Sequence, residues 1–237
     1  MTEATIDPTS PKAPTIGSRI RICLFSTDHK VIAFQYLITG LLMAIIGGYM
    51  AYVFRMQLAF PGEDVPGFGW VSPGHYNALV TNHGTIMIFW VAMPVLVAAA
   101  GNFLIPLMIG CDDMVFPRLN RLSFQIFFLS ALVLIASLHV SGGGFGGAWT
   151  AYPPLSSDPD FNLTPLGASL WLIAVALEFV AFLIGGINFV TTTMNARAPG
   201  MSLMRIPIVV WMIVIASILF MVSVGPLIAG AVMLLSD

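Results

Sequence analysis

The sequence predicts an all-α fold, a polytopic membrane helix bundle with five transmembrane helices and a cytoplasmic N-terminus. Hydrophobic residues make up 58% of the 237 residues and charged residues 8%, whereas soluble domains carry about a quarter charged residues. Five apolar runs are long enough to cross a hydrocarbon core of about 30 Å. The basic residues beside these runs are distributed unevenly, and this sets the orientation.

The five apolar runs divide the chain into a tail and a transmembrane portion. Residues 1–27 are polar, contain prolines and lack an apolar core, so they form a cytoplasmic tail and not a signal peptide. Residues 28–237 form the transmembrane portion. The predicted spans are 31–55, 77–109, 122–141, 166–193 and 206–235.

The orientation follows from lysine and arginine. Eight of the nine basic residues lie before the first span or in the connections after the second and fourth spans. The positive-inside rule makes that side cytoplasmic and places the C-terminus outside. Arg55, at the end of the first span, is the exception.

Several functional classes are excluded. Cys23 and Cys111 lack the spacing of a disulfide framework or a zinc site. The glycine-rich stretch 141–155 is not followed by Gly-Lys-Ser/Thr, so it is not a phosphate-binding loop. The net charge of -2 gives no indication of nucleic-acid binding.

Two polar side chains near the outer side have more than one interpretation. His83 lies within the second span, where an imidazole needs a hydrogen-bond partner or a metal. By residue type alone, a packing histidine is favoured over a metal ligand. Arg55 is either a snorkelling anchor or a cation placed beside a polar group near His83.

Acidic residues stand at two other depths. Glu178 lies near the middle of the fourth span, where a carboxylate is costly. It has either a functional role or a helix-packing hydrogen bond to another span. Asp112 and Asp113 lie in the inner connection, which by residue type alone is a solvated polar turn.

Taken together, the motifs resemble subunit I of the heme-copper oxidases, of the cytochrome c oxidase type. They occur in family order over nearly all the chain after the tail. The matching segments are 26–30 (STDHK), 81–90 (TNHGTIMIFW), 101–110 (GNFLIPLMIG), 113–120 (DMVFPRLN), 147–155 (GAWTAYPPL) and 186–189 (GINF).

The resemblance implies a low-spin heme, of heme a type, near the outer side. His83 is similar to one of its two axial imidazoles, and two strong-field nitrogen ligands suit an iron that carries electrons. Arg55 matches the arginine that hydrogen-bonds a peripheral heme substituent. Tyr76 and Trp149 align with residues near the heme propionates.

The resemblance also implies a proton-entry path from the cytoplasm. Asp113 matches the carboxylate at the mouth of a proton-uptake channel. Asn102 and Asn120 match its neighbouring water-holding amides, and Asn188 matches a further amide of the path.

The sequence departs from the family at several positions. Asp112 stands where proline is common, which leaves open which of the two acids gates entry. Ala181 and Phe182 replace two small hydroxyl residues, and Glu178, one turn away, is a candidate substitute. Gln57 replaces an acid of an outer cation site, which puts that site in doubt.

The family's copper ligands, the ligand of its high-spin heme and the second ligand of its low-spin heme lie on later helices. We therefore expect copper and the high-spin heme on those helices or on a partner chain. The resemblance implies four kinds of partner: a second chain with the remaining helices, oxidase subunits II and III, cytochrome c, and the lipid bilayer. It implies a bacterial cytoplasmic membrane or an equivalent respiratory membrane.

Three functions compete. The chain is part of a proton-pumping cytochrome c oxidase, in which case the copper and oxygen-reduction site lies elsewhere. Alternatively, it is a non-catalytic heme-binding or assembly protein derived from that fold. The third possibility is a transporter that uses Glu178 and Asp113 without heme.

Overall fold

A computed structural model describes residues 25–140, 144–157 and 165–236 of the chain. Within these residues five helices are long and apolar enough to cross a membrane. They are α1 (His29–Ala59), α2 (Pro73–Ile109), α3 (Pro117–Leu138), α4 (Pro165–Asn195) and α5 (Ile208–Ser236). The predicted all-α class and the five spans are confirmed. Most of the predicted tail, residues 1–24, lies outside the described residues.

We call the end of the bundle at which α1 begins the lower end, and the opposite end the upper end. Helices α1, α3 and α5 run from lower to upper, and α2 and α4 run back. Backbone contacts join the elements at the lower end, where Ala198 donates to the carbonyl of Ile109 over 2.8 Å. The guanidinium of Arg121 donates to the carbonyl of Phe25 over 3.3 Å.

Two helices begin earlier than hydropathy predicts. Helix α2 begins at Pro73, because the Ser72 hydroxyl accepts from the backbone of His75 and proline occupies the first turn. Helix α3 begins at Pro117, also with proline in its first turn. Proline is preorganised for this position and sacrifices no helical hydrogen bond there. The polar first turns therefore belong to the helices although they carry little hydrophobic signal.

Close helix packing depends on small residues. A Cβ added to Gly40 on α1 would lie 2.8 Å from Cγ2 of Val95 on α2. A Cβ on Gly101 would lie 2.9 Å from the Phe189 ring on α4. Such glycines let membrane helices approach closely, where contact between surfaces provides the association energy.

The middle of α2 departs from regular α-helix. Residues Ile86–Ala92 and Pro94–Ala99 form two π-helical segments on either side of Met93. A π-helical segment changes which residues share a face, and such segments are often found at functional sites. Here they separate the upper part of α2, which carries His83, from the lower part, which carries Asn102.

The core of the bundle lies between α2, α3 and α4. Its largest fully buried side chains include Trp90, Phe127 and Phe179, one from each of these helices. Helix α5 is the least buried of the five spans. Its side chains Ile208 and Val222 are 77% and 74% exposed, so much of its surface faces lipid or another helix.

Candidate functional site

The His83 imidazole is oriented by helix α1. Its Nδ1 lies 2.8 Å from the carbonyl oxygen of Gly47. A carbonyl can only accept, so Nδ1 carries the proton and Nε2 keeps its lone pair. Among the described residues Nε2 has no hydrogen-bond partner. This is the arrangement typical of a metal-ligating histidine, which donates its other ring nitrogen to a backbone carbonyl.

The helix surface beside His83 is open. Its ring meets that of Phe54 edge-on at 5.4 Å. A Cβ added to Gly84 or Gly48 would meet no atom within 4 Å. Within the described residues, no three His, Cys, Asp or Glu side chains cluster to hold a metal ion. A single histidine fits a heme, because the macrocycle supplies the in-plane ligands and the protein supplies axial ones.

The three other predicted heme contacts lie at the upper end but not all beside His83. The Tyr76 ring contacts Phe54 at 6.3 Å, and Phe54 also contacts His83. Arg55 follows Phe54 and is exposed. Trp149 stacks on Phe89 at 4.7 Å and meets Trp171 edge-on; none of its described ring contacts is with His83.

A hydrogen-bonded polar network occupies the lower half of the bundle. Nδ1 of His29 lies 2.8 Å from the Asn102 carbonyl. The Asn120 amide donates to the Asn102 side-chain oxygen. Ser123 donates to the Asn120 carbonyl, and its hydroxyl lies 2.9 Å from that of Tyr36. The structure therefore brings the predicted Asn102 and Asn120 together, in a network that spans α1, α2 and α3.

The connection between α2 and α3 carries the two predicted acids. Asp112 is exposed, whereas Asp113 is half-buried and accepts from the Met114 backbone over 2.7 Å. The neighbouring Cys111 is a half-buried free thiol. Burial raises the pKa of Cys111, and the Asp113 and Asp112 carboxyls raise it further. Asp113 is thus the acid that turns towards the protein.

Asn188 has a different role from the other two amides. Its side-chain oxygen accepts from the Phe116 backbone over 3.1 Å, and its amide donates to the Phe116 carbonyl over 3.3 Å. One turn away, the Thr192 hydroxyl accepts from Val115. Helix α4 thereby holds the segment that follows Asp113, and Asn188 is not hydrogen-bonded to the Asn102–Asn120 pair.

A cavity of about 210 Å³ lies above the polar network. Its polar lining comes from Tyr36, Asn102 and Ser123, and from Ser217 on α5. Most of the remaining lining is apolar and includes Ala181 and Phe182. A water molecule takes up about 30 Å³ of liquid volume, so several water molecules fit in this space.

Glu178 is completely buried one turn above Ala181. Its Oε2 lies 3.3 Å from the Ser130 hydroxyl of α3. Its Oε1 is buried without a hydrogen-bond partner in the described part of the chain. The predicted bond to another span is therefore present, but it satisfies only one of the two carboxyl oxygens.

Comparison with known proteins identifies the family. A family model described as "Cytochrome C and Quinol oxidase polypeptide I" matches residues 31–237. The chain belongs to this family. The heme-copper oxidase resemblance is confirmed.

The relatives of this oxidase subunit I chain come from bacteria and from the yeast Candida albicans. It is 42% identical over 212 residues to the cytochrome c oxidase subunit 1 of Synechocystis, across 90% of this chain and 36% of that relative. It is 39% identical over 217 residues to the alternative cytochrome c oxidase subunit 1 of Bradyrhizobium diazoefficiens, across 90% of this chain and 36% of that relative. The putative subunit 1-beta of Streptomyces avermitilis is 39% identical over 234 residues, across 98% and 39%.

The chain spans less than two-fifths of the length of these relatives. Oxidase polypeptide I proteins are oxidoreductases of the heme-copper oxidase family, which binds hemes and copper. They are integral proteins of respiratory membranes that work with other oxidase subunits. The five apolar helices of this chain agree with that location.

Sequence reasoning overlooked several polar residues of this oxidase chain. His29 was not singled out, and it is 3% exposed and bonded to Asn102. Ser123 and Ser130 were not singled out. Their signal is spacing, because Asn120, Ser123 and Ser130 recur at three and seven residues and so share one face of a helix. The partners on facing helices have no such signal.

Proposed function

We propose that this chain is the part of a cytochrome c oxidase subunit I that binds the low-spin heme and admits protons, in an enzyme that couples oxygen reduction to proton pumping. The observation that carries the proposal is the orientation of the His83 imidazole. Its Nδ1–H donates to the Gly47 carbonyl, which leaves Nε2 available on an open side of α2. Membership of the oxidase family supplies the chemistry that this geometry would serve.

In this proposal His83 is one axial ligand of a low-spin heme of the a type. The heme, when bound, supplies a one-electron carrier. Gly47 keeps the imidazole in the tautomer that presents Nε2. Arg55 and Tyr76 lie at the same end of the bundle as His83 and would contact heme substituents. Trp149, which packs between Phe89 of α2 and Trp171 of α4, would contact the heme from that side. The second axial imidazole would come from outside the described residues.

Protons would enter at the lower end, which we assign to the cytoplasm from the distribution of basic residues. Asp113 would receive the proton, and Asn188 would hold the segment behind it in place. The Asn102–Asn120 pair would line the next stretch, followed by the cavity. Glu178 would take the place of the hydroxyl residues replaced by Ala181 and Phe182.

The remaining chemistry would belong to other parts of the enzyme. Copper and the high-spin heme would be held by further helices of subunit I, in a second chain or a further segment. Subunits II and III and cytochrome c would complete the assembly. The natural setting would be the bacterial cytoplasmic membrane or an equivalent respiratory membrane.

The test is a reduced-minus-oxidised optical spectrum of the complex purified from its membrane. His83→Ala should remove the low-spin heme band, because no other described side chain offers a free imidazole nitrogen at that position. His139→Ala is the matched control, since His139 is exposed at the end of α3 and its Nδ1 lies 2.8 Å from the Ile135 carbonyl of that helix. A band that survives His83→Ala would refute the proposal. A band without oxygen uptake in the wild type would favour a non-catalytic heme protein.

A further inference from the structure

The hydrogen bonds around Ser130 determine where the proton of the Glu178–Ser130 contact lies. A serine hydroxyl has one proton to donate and two lone pairs to accept with. Ser130 lies 2.6 Å from the Phe127 carbonyl, which can only accept, so the proton of Ser130 points there. The Trp90 indole donates to Ser130 over 3.1 Å and uses one lone pair. The same hydroxyl lies 3.3 Å from Oε2 of Glu178. While its single proton points to Phe127, it can only accept from Oε2, with its second lone pair.

An ionised Glu178 would set a carboxylate lone pair against that of Ser130. A neutral carboxylic acid instead donates its O–H to Ser130, and every donor and lone pair of the hydroxyl is then used. The unpartnered Oε1 points to the same state, because a buried oxygen without a hydrogen bond costs much less in a neutral acid than in a carboxylate. The hydrogen-bond geometry is therefore that of a protonated Glu178.

We infer that Glu178 is a proton carrier in the membrane interior, and that the Ser130 hydroxyl is the switch that stabilises both of its protonation states. This inference rests on the proposed function, because it assigns Glu178 a role in the proton path of the oxidase. Ser130 and Trp90 are positioning residues for Glu178. The Ser130 hydroxyl exchanges one hydrogen-bond partner for another, and the Trp90 indole holds that hydroxyl in place.

The transfer involves protons only. In the resting state the Glu178 O–H bond is intact and Ser130 donates to Phe127. When the proton leaves for a water molecule on the acceptor side, the O–H bond of Glu178 breaks and a carboxylate remains. Ser130 then rotates its hydroxyl from Phe127 to Oε2. A proton from a hydrated proton in the cavity re-forms the O–H bond, and Ser130 returns.

The position of Glu178 suits this role. Ala181 and Phe182, which line the cavity, lie one turn below it on α4, a rise of about 4.5 Å. On the facing side the Tyr36 ring contacts Phe127 at 5.0 Å, and Phe127 is the residue whose carbonyl holds the Ser130 proton. The polar network that ends at Tyr36 therefore reaches the same level of the bundle as the Ser130 switch.

Three buried serines recur at seven-residue intervals on α3, and they distinguish the proposed switch from an ordinary packing serine. Ser123, Ser130 and Ser137 are spaced by seven and are each at most 1% exposed. Each donates to the carbonyl three residues before it. Only Ser130 meets a carboxyl group among the described residues. Ser137, whose hydroxyl bonds only to the Leu134 carbonyl, is the matched control for the loss of a buried serine hydroxyl.

The protonation state is tested by infrared spectroscopy of the assembled oxidase at neutral pH. The difference between wild type and Glu178→Gln should contain a carboxylic acid C=O band that shifts in D2O. Ser130→Ala should move this band to higher frequency because the acid loses its acceptor, and Ser137→Ala should leave it in place. A pair of carboxylate bands in place of the C=O band would overturn the inference, as would a band that Ser130→Ala does not move.

The carrier role is tested by proton uptake in a single turnover. Glu178→Gln should slow uptake by roughly a hundredfold or more, the range for a missing proton-transfer group. Glu178→Asp should recover part of the rate, and Ser130→Ala should fall between wild type and Glu178→Gln. Wild-type uptake in Glu178→Gln would overturn the role. The heme band of each variant is a separate readout, so loss of His83 ligation and failure of the Glu178 switch remain distinguishable.

Discussion

The imidazole of His83 on α2 is bound to the carbonyl of Gly47 on α1 over 2.8 Å, although the two residues lie 36 apart in sequence. One helix thus supplies the proposed axial ligand and its neighbour fixes the tautomer. Partners of this kind are worth about 10- to 100-fold in metal affinity or activity. The contact between α1 and α2 is therefore part of the proposed heme site and not only of the fold.

Gly47→Ala tests this coupling. The added Cβ would lie 2.9 Å from the Met87 sulfur and 3.2 Å from Cγ2 of Ile86, so these side chains or α1 itself would have to move. We expect a weaker bond to His83, with a shifted low-spin heme band and a heme affinity reduced by about tenfold. An optical spectrum of the purified complex measures the band, and a heme-binding titration measures the affinity. Gly230→Ala on α5, where the Cβ meets no atom within 4 Å, is the control. An unchanged band in Gly47→Ala would contradict the coupling.

Cysteine labelling in intact cells tests the orientation of the bundle. In a background without Cys23 and Cys111, Met204→Cys should react only with a reagent that crosses the membrane. Ser157→Cys should react with an impermeant one. Both side chains are exposed, with Met204 at 89%, and they lie at opposite ends of the bundle. The reverse pattern would show that the positive-inside assignment, and with it the cytoplasmic entry of protons, is wrong.

The five helices could be predicted because each apolar run is long and uninterrupted. Their starts could not be predicted equally well, since the cap at Ser72 and the prolines Pro73 and Pro117 contribute little to hydropathy. Capping depends on one or two polar atoms, whereas a span depends on about 20 residues. Boundaries are therefore where the sequence prediction and the structure differ.

Some polar residues of the site could be predicted from the sequence, whereas their partners on other helices could not. The sequence indicated Glu178 because a carboxyl in a membrane span is costly, but not its partner, since Ser130 is an ordinary residue on another helix. The family pattern aligned Trp149 with residues near the heme propionates, but it gave no sign of the ring contacts with Phe89 and Trp171. Neighbours across helices depend on rotation about each axis, which a single sequence with few polar landmarks does not specify.

The alkylation rate of the Cys111 thiol should depend on the negative charge of the carboxyls beside it at the lower end of the bundle. Because burial and the Asp113 and Asp112 carboxyls raise its pKa, little thiolate forms at neutral pH and alkylation should be slow. The rate should rise at higher pH than for an ordinary cysteine. Removing a nearby negative charge lowers the pKa, so alkylation in a Cys23→Ser background should be faster in Asp113→Asn than in Asp112→Asn. Identical rates in both variants and the parent would contradict this electrostatic effect.

Asp113→Asn should slow steady-state turnover and weaken proton pumping in the assembled oxidase. Asp113 is half-buried and accepts from the Met114 backbone, whereas Asp112 is exposed. Asparagine keeps the size and the hydrogen-bond acceptor of Asp113 but cannot carry a proton at this position. We expect a loss of roughly a hundredfold or more in the proton-coupled rate, the range for a missing proton-transfer group.

Asp112→Asn is the matched control for Asp113→Asn, because it removes the same charge one residue away. It should reduce turnover only mildly, since an exposed carboxyl attracts protons to the surface without handing them on. Oxygen uptake and the pH change of the outer medium in reconstituted vesicles measure turnover and pumping in the same sample. Wild-type rates in Asp113→Asn would show that protons enter elsewhere, and equal losses in both variants would show that only the summed surface charge matters.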